Sequence, residues 1–122
     1  MTKIAIATED GVHVSAHFGR APYFQVVTIE NGKIVSSERR DKGHHSAQHE
    51  PHQHGGHNHN NMISAAHDCV AIIAGGMGSP AYASIESAGL KPILTDERQV
   101  DQAAQAYANG TLVNRMERVH QH

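Results

Sequence analysis

Apolar runs and turn residues alternate along most of the chain. Ile4 to Thr8 (IAIAT) is a β-branched apolar run of the kind that forms a buried strand. Glu9-Asp10-Gly11 turns the chain, and Val12 to Arg20 reads as an ordered loop carrying His13 and His17. Tyr23 to Glu30 (YFQVVTIE) predicts a second strand. Asn31-Gly32 follows at once, the strongest short hairpin signal. Lys33 to Arg40 (KIVSSERR) is the return strand, polar enough to lie near an edge.

The pattern then stops. Asp41 to Asn61 holds almost no apolar residue and predicts a mobile loop at about 42–61. Met62 to His67 suggests a short helix, and Val70 to Ala74 (VAIIA) a buried strand. Gly75-Gly76-Met77-Gly78 reads as a tight turn. Ser79 as N-cap and Pro80 at the first helical position open a helix that Gly89 stops. Lys91 to Leu94 is a short strand. Asp96 with Gln99 resembles a capping box for a last helix, whose Val100, Ala103, Ala104 and Tyr107 share one face. Gly110 ends it, and Thr111 to His122 has no readable period. A hairpin followed by βα alternation predicts a mixed sheet covered by helices.

Composition narrows the picture. The 122 residues suit one domain, 1–122, with aromatic content of 4% and no Trp, so Ile, Val, Ala and Leu must build the core. The formal net charge of −2 argues against a nucleic-acid binder; protonating all 12 histidines turns it to +10. The first ten residues do not read as a signal peptide, and no stretch approaches the roughly 20 apolar residues of a membrane span. The single cysteine, Cys69, permits no internal disulfide and fits a reducing cytoplasm. Cys69 reads as a small buried hydrophobe that could at most supply one ligand.

Three segments carry candidate chemistry. The strand-turn-helix passage Val70–Ala81 offers main-chain N–H donors at Gly75, Gly76, Met77 and Gly78, beside the positive end of a helix dipole. It is neither a Walker A loop nor a dinucleotide fingerprint, and glycines needed only for tight packing would look the same. In SAHFGRAPYF, His17 and Arg20 bracket Phe18-Gly19. A borderline metal ligand beside a fixed cation suits a negatively charged metal complex. The bland alternative is a loop plugged into the core by Phe18. Finally, HHSAQHEPHQHGGHNH places His44, His45, His49, His52, His54, His57 and His59 in one run. With no interleaved Cys and one acid, Glu50, it suits several weak imidazole sites for Zn, Ni or Cu better than a fixed zinc centre. It could also fold over a bound cluster.

Together, KIAIAT, VSAHFGRAPYF, VAIIAGGMG and the closing helix region resemble the dinitrogenase iron-molybdenum cofactor biosynthesis family, the NifX and NifB C-terminal type domain with its orange-protein-like branch. The resemblance spans nearly the whole chain except the histidine run, which departs from the family's shorter connection. It implies an α/β domain of ribonuclease H-like, three-layer topology with a mixed five-stranded sheet. It implies a non-catalytic carrier of a metal-sulfide cluster, Fe-Mo-S or, as in the orange-protein branch, Mo-Cu-S, working with a donor or acceptor protein. It also implies that the HFG histidine, His17, contacts the cluster.

The residues agree with that implication. Sulfide clusters are polyanions, and Arg, His and glycine N–H groups can hold one reversibly without thiolates. The expected site is His17 and Arg20 facing Gly75–Gly78, with His13 or the histidine run closing over it. Two other readings stay open: a divalent-metal buffer or metallochaperone working through His44–His59, and a nuclease-like enzyme using Glu9 and Asp10 after the first strand. The latter lacks the converging carboxylates that two-metal catalysis needs.

Overall fold

The computed structural model describes residues 2–41, 66–112, 114 and 119–120. The histidine-rich run lies outside them. So does the helix expected over 62–67, save Ala66 and His67, which stand in a turn.

Strand β1 (Thr2–Thr8) is central and buried along most of its length. It pairs antiparallel with β2 (Tyr23–Glu30) on one side and parallel with β4 (Ala71–Ala74) on the other. β3 (Lys33–Asp41) extends the sheet beyond β2, and β6 (Lys91–Leu94) extends it beyond β4. The order is β3-β2-β1-β4-β6, a mixed five-stranded sheet. Asn31 and Gly32 both take positive φ, 56° and 77°, in the β2–β3 hairpin turn. One extra residue shifts the β2–β3 register near Thr28/Ile29, and β3 is exposed except at Arg40.

The period-2 alternation sorts the core into two layers. Ala5, Ala7, Phe24, Val26, Ile72 and Leu94 face α1 (Ser79–Ser87), which contributes Ala81 and Ile85. Ile4, Ile6, Val27, Ile29, Ile73 and Ile93 face α2 (Val100–Asn109), which contributes Val100, Ala103 and Ala104. This is a three-layer α/β arrangement, one helix on each face. Ala5 and Ala7 are small, and two large rings, Phe18 and Phe24, fill their layer with centroids 6.0 Å apart.

Three expectations need correction. Helix α1 begins at Ser79, with Gly78 in the capping position and no side-chain cap. Helix α2 begins at Val100 with Gln99 before it, so Asp96 opens no helix. The stretch before α2 stays extended because tertiary partners claim it: Arg98 accepts the N–H of Val14, and Gln99 bridges to His13. Third, Met77 and Gly78 are not open turn but a two-residue strand, β5, paired in parallel with β7 (Val119–His120). Gly89 and Gly110 end their helices as expected, at φ 87° and 77°.

Candidate functional site

β1 and β4 lie side by side and parallel, and their carboxyl ends release chain in diverging directions. β1 continues through residues 9–22 toward β2, while β4 continues through Gly75–Gly78 into α1 and then β6. In open α/β sheets such a divergence at the strand ends is where ligands are commonly bound.

Main-chain bonds join the two connections there. The N–H of Gly75 donates to the carbonyl of Ser15 at 2.7 Å, and the N–H of Phe18 donates to that of Gly76 at 2.9 Å. A Cβ on Gly75 would lie 3.0 Å from the Ala16 Cα and 3.1 Å from the Ser15 oxygen, so any side chain there would push the neighbouring backbone away by a few tenths of an ångström. Phe18 is fully buried, whereas His17, Gly19 and Arg20 are exposed. The 3-10 turn Phe18–Arg20 is closed by the Arg20 N–H donating to the His17 carbonyl at 3.0 Å. The fold thus seats one ring in the core and leaves His17 and Arg20 exposed on a turn whose backbone is bonded to Gly76.

The four-amide cradle expected at Gly75–Gly78 is smaller than its sequence suggested. The Gly75 N–H is taken by Ser15, and Met77 and Gly78 belong to β5. Of the expected glycine turn only Gly75 and Gly76 lie outside strand and helix, and the partners that use their backbone come from distant segments.

Sequence reasoning missed Ser15 as an organiser. Its buried hydroxyl lies 3.1 Å from Glu9 Oε2 and 3.0 Å from the His17 carbonyl, and it accepts the His17 N–H at 3.2 Å. One hydroxyl hydrogen serves one of those two acceptors at a time. Glu9 therefore stands close to the His17 backbone. Its negative charge is one that cationic side chains at the rim must outweigh if the guest is an anion.

His13 lies on the other half of the loop. Asp10 Oδ1 accepts the N–H groups of Val12 and His13, each at 2.8 Å, and Oδ2 lies 2.7 Å from His13 Nδ1. An ionised carboxylate only accepts, so Nδ1 carries the hydrogen and a neutral ring offers Nε2 to a ligand. The His13 side-chain bond, with the two backbone N–H groups, holds the Asp10 carboxyl well below the usual carboxylate range. This loop half is bound to α2: the Val100 N–H donates to Val12 at 2.8 Å.

Cys69 is buried away from these loops' exposed side chains. Burial, then the neighbouring Asp68 carboxylate, pushes its thiol up to about 12, so it is a poor thiolate ligand. Asp68 is itself held well below the ordinary range, chiefly by the Arg40 guanidinium, whose two terminal nitrogens reach both its oxygens at 2.7 and 3.1 Å. Among the described residues no group of three or more His, Cys, Asp or Glu side chains gathers as a metal site, and no helix is long and apolar enough to cross a membrane.

Comparison with known families decides the affiliation. The model of the family described as dinitrogenase iron-molybdenum cofactor matches residues 1–110. The chain belongs to that family. Its chemistry accordingly lies with the binding or biosynthesis of the iron-molybdenum cofactor. No curated protein matches the chain. Among solved structures it is similar to PH0822, at 25% identity and a TM-score of 0.71, covering 93% of this chain and 94% of that one. It is also similar in fold to the apo form of the orange protein from Desulfovibrio gigas, at 23% identity and a TM-score of 0.71, covering 94% and 93%. Both segments that carry the candidate site, Ser15–Arg20 and Gly75–Gly78, fall inside the matched residues.

Proposed function

We propose that the chain binds a metal-sulfide cluster, Fe-Mo-S or Mo-Cu-S, and carries it between assembly partners without catalysing a reaction. The cluster is cargo. One observation carries the reading: the Ser15–Arg20 and Gly75–Gly78 segments are stitched together by main-chain bonds at the diverging ends of β1 and β4. His17 supplies a ligand nitrogen and Arg20 a fixed positive charge. The remaining backbone donors and the amino end of α1 complement bridging sulfides. His13, its ring oriented by Asp10, is a further ligand at the rim.

The strand order supports a ribonuclease H-like topology for this single-domain carrier. The catalytic reading of that topology has little support. Asp10, the acid it would use, is spent on organising its own loop. β3 ends at Asp41, in one row with Tyr23 and Thr8. His44, His45, His49, His52, His54, His57 and His59 are assigned here a secondary role, gathering Zn, Ni or Cu. The chain is assigned to the cytoplasm, where its lone thiol needs no partner.

Reconstitution with tetrathiomolybdate, with and without copper or iron, followed by metal counting and visible spectroscopy, tests the reading. The wild type takes up the cluster and gains charge-transfer absorption. His17→Ala weakens uptake by about tenfold, while deletion of residues 46–58 only modulates it. Loss of all metal binding on deletion, with no effect of His17→Ala, would establish a metal buffer instead.

A further inference from the structure

Ser15 is fixed from three sides. Its N–H donates to the Ala7 carbonyl of β1 at 2.8 Å, and its own carbonyl accepts the Gly75 N–H at 2.7 Å. Its buried hydroxyl accepts the His17 N–H at 3.2 Å. The one hydrogen of that hydroxyl has two acceptors in reach, the His17 carbonyl at 3.0 Å and Glu9 Oε2 at 3.1 Å. A carboxylate is the stronger acceptor of the two. An exposed acid, Glu9, is thereby held against the backbone of the turn that carries His17 and Arg20.

Charge makes that placement consequential. Residues 9–20 hold two carboxylates, Glu9 and Asp10, against one guanidinium, Arg20, and the Gly75–Gly78 segment bonded to them holds no charged side chain. Asp10 is engaged by the His13 ring and two backbone N–H groups. The shared Ser15 hydroxyl, being neutral, cancels none of the charge on Glu9. A unit charge acts over about 8–10 Å at physiological ionic strength. An anion resting on the His17–Arg20 turn is therefore repelled by Glu9 while Arg20 attracts it.

We infer that Glu9 is a specificity-determining residue of the cargo site: its carboxylate, fixed to the His17 backbone through Ser15, weakens the hold on an anionic cluster and so lets an acceptor take it. The inference rests on the carrier reading given above. A repulsive group built into a site discriminates against the most highly charged guests, where added attraction alone would hold them all more tightly.

The test uses the full chain, with tetrathiomolybdate plus copper as the probe. Glu9→Gln, Glu9→Ala and His17→Ala are compared with the wild type by dissociation constant, read from charge-transfer absorption at low salt and again at about 1 M salt, and by thermal melting. Both Glu9 variants should melt like the wild type and hold the probe about fivefold more tightly at low salt, a gap that closes at high salt. His17→Ala should bind weakly. Equal or weaker binding in either Glu9 variant, with His17→Ala weak, overturns the inference and leaves the carrier reading standing. A gap that persists at high salt also overturns it, because the effect would not be one of charge. No uptake by the wild type, or wild-type uptake in His17→Ala, overturns the carrier reading and the inference with it.

Discussion

The loop between β1 and β2 has two halves built on different principles. In residues 9–14 the side chains do the organising. Asp10 gathers two backbone N–H groups and the His13 ring, and the buried Thr8 hydroxyl donates to the His13 carbonyl at 2.7 Å and accepts the Gly11 N–H at 2.8 Å. In residues 15–20 the backbone does most of it. The main chain bonds to Gly75 and Gly76, one ring is buried, and His17 and Arg20 stay exposed. The difference teaches where function can vary. A half held by its side chains loses shape when they change. A half held by its backbone can carry almost any exposed side chain, and so can be tuned for a ligand.

The largest effect that would break this contrast is steric. Gly75→Val sets a branched side chain against the backbone of Ser15 and Ala16, contacts that cannot be relieved by a rotamer change. The expected outcome is a loss of about 1–3 kcal/mol in denaturant unfolding, together with loss of cluster uptake. Unchanged stability would mean that the two segments are not held in contact.

Next comes the side-chain half. Asp10 has a lower carboxyl pKa folded than unfolded. Its stabilising contribution is therefore present above the unfolded value, about 3.9, and fades as the pH falls below it. Asp10→Ala should melt at a lower temperature than the wild type at pH 7, with the gap constant down to about pH 4 and narrowing progressively below it. Asp68, held low by Arg40, supplies a second acid-labile contribution that remains in both proteins. A gap that stays constant with pH would show that the Asp10 charge does not organise the loop.

The smallest effect sharpens the comparison. His17→Ala and Arg20→Ala should each leave stability within about 0.5 kcal/mol of the wild type, measured by thermal melting, although uptake falls. A large loss of stability in either would place these side chains in the framework rather than at the rim.

Much of the architecture was legible. The apolar runs marked β1, β2 and β4, and Asn31-Gly32 marked the hairpin because few other pairs take two successive positive φ angles. The β-branched apolar run Ile4–Thr8 predicted a buried strand, and β1 is buried there. The helix starts were misread by one to several residues, because extended pairing of Arg98 and Gln99 with the loop overrode the local capping signal at Asp96. The union of Ser15–Arg20 with Gly75–Gly78 followed from family resemblance rather than from any spacing. The Ser15–Glu9 contact and the β5–β7 pair left no trace in the sequence. A single hydroxyl and a two-residue strand have no period to detect: Ser15 reaches Glu9 within its own loop, and β7 lies far beyond β5 in sequence.

Phe18 stands between His17 and Gly19, and its ring is fully enclosed. Lifting the His17–Gly19 backbone off the protein would drag that ring into water, which costs about 1.5–3 kcal/mol. Molecules so opened would number on the order of one in a hundred. On the carrier reading proposed above, the residence time of a cluster would then be governed by the bonds it makes and by whatever acceptor competes for them, not by opening of this turn.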